Sequence, residues 1–128
     1  MIKKTAVVLI LLCTAALARD KGTTLEDAKA AVKGNTASPQ GIAFDGKIGK
    51  EFGDKYSQTM FRCVKAAGDD LENFTFYFRL AKDGTVVEVL EDRNTKVSEC
   101  VRKELVKAKF SSPPRPDYWL DLQMTLKQ

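Results

Sequence analysis

Histidine is absent from all 128 residues. That removes a Ser-His triad, an imidazole general base and a histidine-ligated zinc centre in one step. Cysteine occurs only three times, at Cys13, Cys63 and Cys100, with no CxxC spacing, so a redox pair or a sulfur-rich metal knuckle finds no support. Proline is scarce, and three of the four prolines crowd into residues 113–116. Charge of one sign is not in excess. The 21 Lys and Arg stand against 17 Asp and Glu, a near balance that argues against nucleic acid as the partner. Long apolar runs are lacking too, apart from one at the amino terminus.

That run is Thr5 to Ala15, preceded by Lys3 and Lys4 and followed by Ala16-Leu17-Ala18, Arg19 and Asp20. A positive start, a short uncharged apolar stretch and a small-x-small site read as a secretory signal peptide over residues 1–18. The stretch falls short of the roughly 20 residues a membrane span needs, so no stable membrane anchor is expected. Leu12 before Cys13 also argues against a lipidation signal. Cleavage after Ala18 leaves residues 19–128, one small domain, and lowers the net charge from +4 to +2 by removing Lys3 and Lys4. The protein is therefore expected in the periplasm or outside the cell. Cleavage also removes Cys13, leaving Cys63 and Cys100 as an even pair in an oxidising compartment. One structural disulfide is the expected reading.

Along the rest of the chain, Thr23-x-x-Glu26 resembles a capping box opening a short helix that Gly34 stops. Residues 35–47, with Pro39, Gly41 and Gly46, read as an irregular loop, so residues 19–47 form a short helix and loop ahead of an α+β domain at 48–128. Ile48, Phe52, Tyr56, Met60, Cys63, Val64 and Ala67 recur every three or four residues and predict a helix over 49–67, ended by Gly68. Phe74, Phe76, Phe78 and Leu80 alternate with Thr75, Tyr77 and Arg79, the pattern of a strand. Asp83-Gly84 then predicts a two-residue type I′ hairpin turn. In that register Leu80 faces Val87, Arg79 faces Glu88 and Phe78 faces Val89. Val97, Cys100 or Val101, Leu105 and Ala108 stripe a further helix over 97–109, capped by Thr95 or Ser98. Pro113, Pro114 and Pro116 cannot continue it. Tyr118, Leu120, Leu122, Met124 and Leu126 alternate with Trp119, Asp121, Gln123 and Thr125 in a final strand.

The expected fold is therefore α+β in the order α-α-β-β-α-β: a three-stranded antiparallel sheet, from the hairpin plus the last strand, with two disulfide-linked helices on one face. Cys63 and Cys100 fall on those two helices. The segment from Tyr56 to Leu126 resembles the TonB carboxy-terminal-like family, and in particular its cysteine-bearing AgmX/PglI-type relatives. The matching stretches are "YSQTMFRCV", "KDGTVVEV", "SECVRKEL" and "KAKFSSPP". The resemblance implies a domain that binds other proteins, partly by strand addition.

No residue set demands a cofactor. Asp69-Asp70 and Glu91-Asp92 are paired acids at strand ends, and solvated loop-edge acids are the stronger reading than catalysis. Arg102, Lys103, Lys107 and Lys109 form a basic helix face, which reads as solvated before it reads as a surface for anionic lipid or polysaccharide. Trp119 and Tyr77 fall on the less apolar sheet face beside Arg79, Glu88 and Asp121. Aromatics among charges mark a candidate binding surface at Trp119, Tyr77, Arg79 and Asp121, unless the first helix covers them. The functional expectation is an exported, non-catalytic, monomeric protein-binding module of the cell envelope. An inhibitor or immunity-type protein that blocks an enzyme is the alternative.

Overall fold

The computed structural model describes residues 23–127. The expected signal peptide, residues 1–18, and Cys13 lie outside them. The order of elements is α1 (Leu25–Asn35), α2 (Pro39–Ala67), β1 (Phe74–Leu80), β2 (Val86–Glu91), α3 (Lys96–Leu105) and β3 (Tyr118–Met124). The strands make one antiparallel sheet in the order β2-β1-β3. This is the α+β architecture that the residue pattern predicts.

The central strand carries the core. Phe74, Phe76, Phe78 and Leu80 are at most 3% exposed, and each fully buried side chain of this size stabilises the fold by about 1.5–3 kcal/mol. Ile48 and Phe52 from α2, and Val97, Val101 and Leu105 from α3, close over that face. The Cys63–Cys100 disulfide joins the two helices across a Cα separation of 5.6 Å. Phe110 packs against Phe78 and Tyr56, with ring centroids 5.7 and 6.2 Å away, and seals the end of the layer. α1 takes the opposite face of the sheet, where Ala28 and Val32 meet Trp119.

Helix α3 starts where its cap lies. The Thr95 hydroxyl accepts from the Ser98 N–H at 2.9 Å and the Ser98 hydroxyl accepts from the Thr95 N–H at 2.7 Å, satisfying two helix-end donors reciprocally. It stops at Leu105, short of the expected 109, because the next residues turn to hydrogen-bond the sheet. The Val86 N–H donates to the Ala108 carbonyl and the Phe110 N–H to the Gly84 carbonyl.

Three further expectations are corrected. The segment 35–47 is not a loop: α2 begins at Pro39 and runs unbroken for 29 residues, so a boundary at 47/48 falls inside a helix. Ser38 caps it, accepting from the Gly41 N–H at 3.1 Å, and Pro39 occupies the first helical position, where a missing N–H costs nothing. At α1 the cap is Thr24, accepting from the Asp27 N–H at 3.2 Å, rather than Thr23 with Glu26.

The hairpin differs as well. Phe78 faces Val89 and Arg79 faces Glu88 as expected, but Leu80 faces Val86. Asp83 does not have positive φ, whereas Gly84 has φ +89°. The Gly84 N–H donates to the Ala81 carbonyl, and the Ala81 N–H to the Thr85 carbonyl. The connection is thus a three-residue loop with a left-handed glycine. A bulge at Val87 absorbs the extra residue.

Candidate functional site

The four expected binding residues are brought together but not left open. Arg79 pairs with Trp119 and Tyr77 with Asp121 across β1 and β3, so all four occupy one sheet face. Trp119 is only 6% exposed, lying under Ala28 and Val32 of α1 with Tyr77 and Leu90 beside it. The expectation of a free aromatic surface is corrected: the amphipathic stripe of α1 has taken it. Burial raises the Tyr77 hydroxyl pKa above its ordinary value, and the charges of Asp121, Asp92 and Glu26 add to that. Arg79 is committed to Glu88 at 3.3 Å and Asp117 at 2.7 Å. Its pairing with Glu88 is the one the hairpin register predicts.

The paired acids are also structurally occupied where they touch the sheet. Glu91 Oε1 meets Arg102 at 3.5 Å and accepts from the Asn94 amide at 2.9 Å. The Asp92 carboxylate accepts from the Thr75 N–H at 2.8 Å. No group of three or more potential metal ligands occurs among the described residues. No helix among them is long and apolar enough to cross a membrane.

What remains open is the sheet's edges. The Asp92 N–H donates to the Thr75 carbonyl, which makes Thr75 and Asp92 a hydrogen-bonded pair. Antiparallel alternation then turns the backbone groups of Leu90 and Glu88 toward β1 and those of Glu91 and Val89 outward. The first part of this edge is closed by residues 108–110. From Val87 onward it borders a groove of about 400 Å3, lined by β2 together with Arg102 of α3 and Val106 just past its end. Val87 is 48% exposed and Val106 46%, and they are the apolar walls of this groove. The bulge is what places Val87 there. An unpaired strand edge beside exposed valines is a template for an added strand.

The other edge, along β3, has a different character. The same alternation points the backbone of Trp119, Asp121 and Gln123 outward. The Trp119 carbonyl is met by the Asn35 side-chain amide at 3.0 Å, and the stretch beyond it presents polar side chains.

The family resemblance implies strand addition but does not say that β2 would take the strand. The strand order that makes β2 an edge is a tertiary fact, and the apolar signal available in the sequence was the Val86-Val87 pair.

Neither the family models nor the curated proteins nor the solved structures contain a match to this chain.

Proposed function

We propose that this protein is an exported, non-catalytic binding module that takes an extended segment of another protein onto the β2 edge. The observation that carries this reading is the uncovered strand edge from Val87 to Glu91 flanked by the exposed valines Val87 and Val106. Outward-facing N–H and C=O groups of Val89 and Glu91 would supply affinity through added ladder hydrogen bonds. The apolar walls would select a side chain at alternate positions of the guest. Arg102 is held toward Glu91 and stays in place beside the guest as a polar rim.

Export rests on the amino-terminal residues Lys3 to Ala18 and on the paired cysteines. A TonB carboxy-terminal-like relationship is supported by the order of elements and by the helix-to-helix disulfide. Strand addition is the mode that this resemblance implies.

The test compares the protein with a Val87→Asp/Val106→Asp variant. Both side chains are half exposed, so the variant should keep its thermal midpoint. Both proteins, immobilised, are presented to a periplasmic extract. A protein captured by the first and lost by the variant supports the reading. A captured hydrolase that loses activity when bound would assign the module to the inhibitor class. Equal capture by both would overturn the β2 edge as the binding surface.

A further inference from the structure

A second concave feature lies at the other side of the sheet, where α2 begins. It is a cavity of about 220 Å3 between the α1–α2 turn and the proline segment. Three hydrogen-bond-donating features converge on it. The first is the amino terminus of a 29-residue helix with no acidic residue in its first turn, so its partial positive charge is not offset. Pro39 has no N–H and the Gly41 N–H goes to Ser38, which leaves the Gln40 N–H without an acceptor among the described residues. The second is Arg115. It donates to the Asn35 side-chain oxygen and its guanidinium lies 5.5 Å over the Tyr118 ring, but it forms no ion pair with a carboxylate among the described residues.

The third is Tyr118. Its side chain is only 2% exposed, and its hydroxyl makes no hydrogen bond to any described residue. It lines the cavity, 3.1 Å from where a Cβ on Gly41 would stand. The hydroxyl is the polar end that this otherwise buried side chain turns into the cavity, and it faces a helix amino terminus and a cation. Gly41 itself is fixed by the approach: any Cβ there would run into the Asn35 carbonyl oxygen as well.

We propose that this cavity is a carboxylate-binding site, in which Arg115, the Tyr118 hydroxyl and the Gln40 N–H donate to one carboxylate group. A singly charged anion suits it better than a doubly charged one. The local positive charge is one guanidinium plus about half a charge from the helix, and Asp45 contributes negative charge that reaches Tyr118. The cavity adjoins the β3 edge, because Asn35 both lines it and holds the Trp119 carbonyl. A free small carboxylate and the terminal carboxylate of a peptide share the required chemistry. The site is independent of the β2 groove.

The test is an amide-resolved NMR titration of the protein with sodium acetate, against sodium chloride at equal ionic strength. Saturable shifts are expected at Gln40 and Gly41 and not at Glu26 and Asp27, which sit at the other helix amino terminus. Tyr118→Phe removes only the unpartnered hydroxyl and should weaken acetate binding by about threefold to tenfold. Arg115→Ala should weaken it by about tenfold or more. A second arm uses N-acetyl-alanyl-alanine and its carboxy-terminal amide. Tighter binding of the free acid than of acetate assigns a chain terminus as the source, and equal binding assigns a small free carboxylate. Three results would overturn the proposal: shifts no larger than with chloride, acetate affinity unchanged in Tyr118→Phe, or inorganic phosphate dianion binding more tightly than acetate.

Discussion

Trp119 shows how a single side chain can change the meaning of a surface. On an open sheet face it would be an anchor for a partner. Under Ala28 and Val32 it instead holds α1 to the domain, and large-to-small changes at such a site leave a cavity. Trp119→Ala is expected to cost about 3–5 kcal/mol, read as a fall in the denaturation midpoint. Because it is the only tryptophan, intrinsic fluorescence checks the same point directly: emission should be blue-shifted and poorly quenched until the chain unfolds. Gly84 is a second position where one residue decides a geometry. Its φ of +89° disfavours any side chain, and a Cβ would collide with the Phe110 carbonyl, the group next to the bond that ties the hairpin to residues 108–110. Gly84→Val should therefore be strongly destabilising. Exposed Lys82 in the same loop should tolerate glutamine with almost no change. Matching thermal midpoints for the two variants would contradict the turn described here.

At the scale of elements, α2 is the instructive case. Phe44, Ile48 and Phe52 continue the buried stripe of Tyr56, Met60 and Cys63, and Ser38-Pro39 is a recognisable helix start. The whole helix was thus legible in principle. Four glycines between residues 41 and 53 obscured it, because glycine in a helix lowers intrinsic propensity and resembles a loop signal. Packing on the sheet and on α3 outweighs that deficit. Gly46, Gly49 and Gly53 have nothing within 4 Å of an added Cβ, so their only effect on the helix is backbone entropy. Gly46→Ala, Gly49→Ala and Gly53→Ala should each stabilise the protein by about 0.5–1 kcal/mol, additively, as measured by urea denaturation. The strands were legible for the opposite reason. Alternation of Phe74, Phe76, Phe78 and Leu80 has a period that only a strand satisfies, and Arg79 meets Glu88 as the two-residue turn predicts because the bulge at Val87 restores that register. The extra hairpin residue escaped because Asp-Gly is compatible with both a type I′ turn and a type I turn followed by a left-handed glycine. The candidate site was less legible than the fold. Whether β2 is an edge depends on where β3 docks, and whether Trp119 is free depends on where α1 docks.

For the molecule as a whole, the decisive feature is the covalent link that reinforces the packing of α2 on α3. The Cys63–Cys100 bond closes a separation of 37 residues, spanning the entire hairpin between the two helices. In the chain-entropy view, a loop of that length restricts the unfolded chain by about 4 kcal/mol. For a domain of this size that is a large part of the usual net stability of about 5–15 kcal/mol. The link also bears on the proposed binding edge, because Arg102 and the C-cap Val106 line the β2 groove from the end of α3, the helix that Cys100 fastens to α2. Cys63→Ser should cost about 2–5 kcal/mol, and a reducing agent added to the unchanged protein should lower its midpoint by a comparable amount. Protein prepared from an oxidising compartment, denatured without reductant and titrated with a thiol reagent, should show almost no free thiol after removal of residues 1–18. Close to two thiols per chain would mean that the bond does not form where the protein resides. If the reduced protein remains folded near room temperature, the added strand offers a finer check. The free protein should bind its partner more tightly oxidised than reduced, since the bond holds one wall of the groove at a fixed distance from β2 and so lowers the ordering cost of binding.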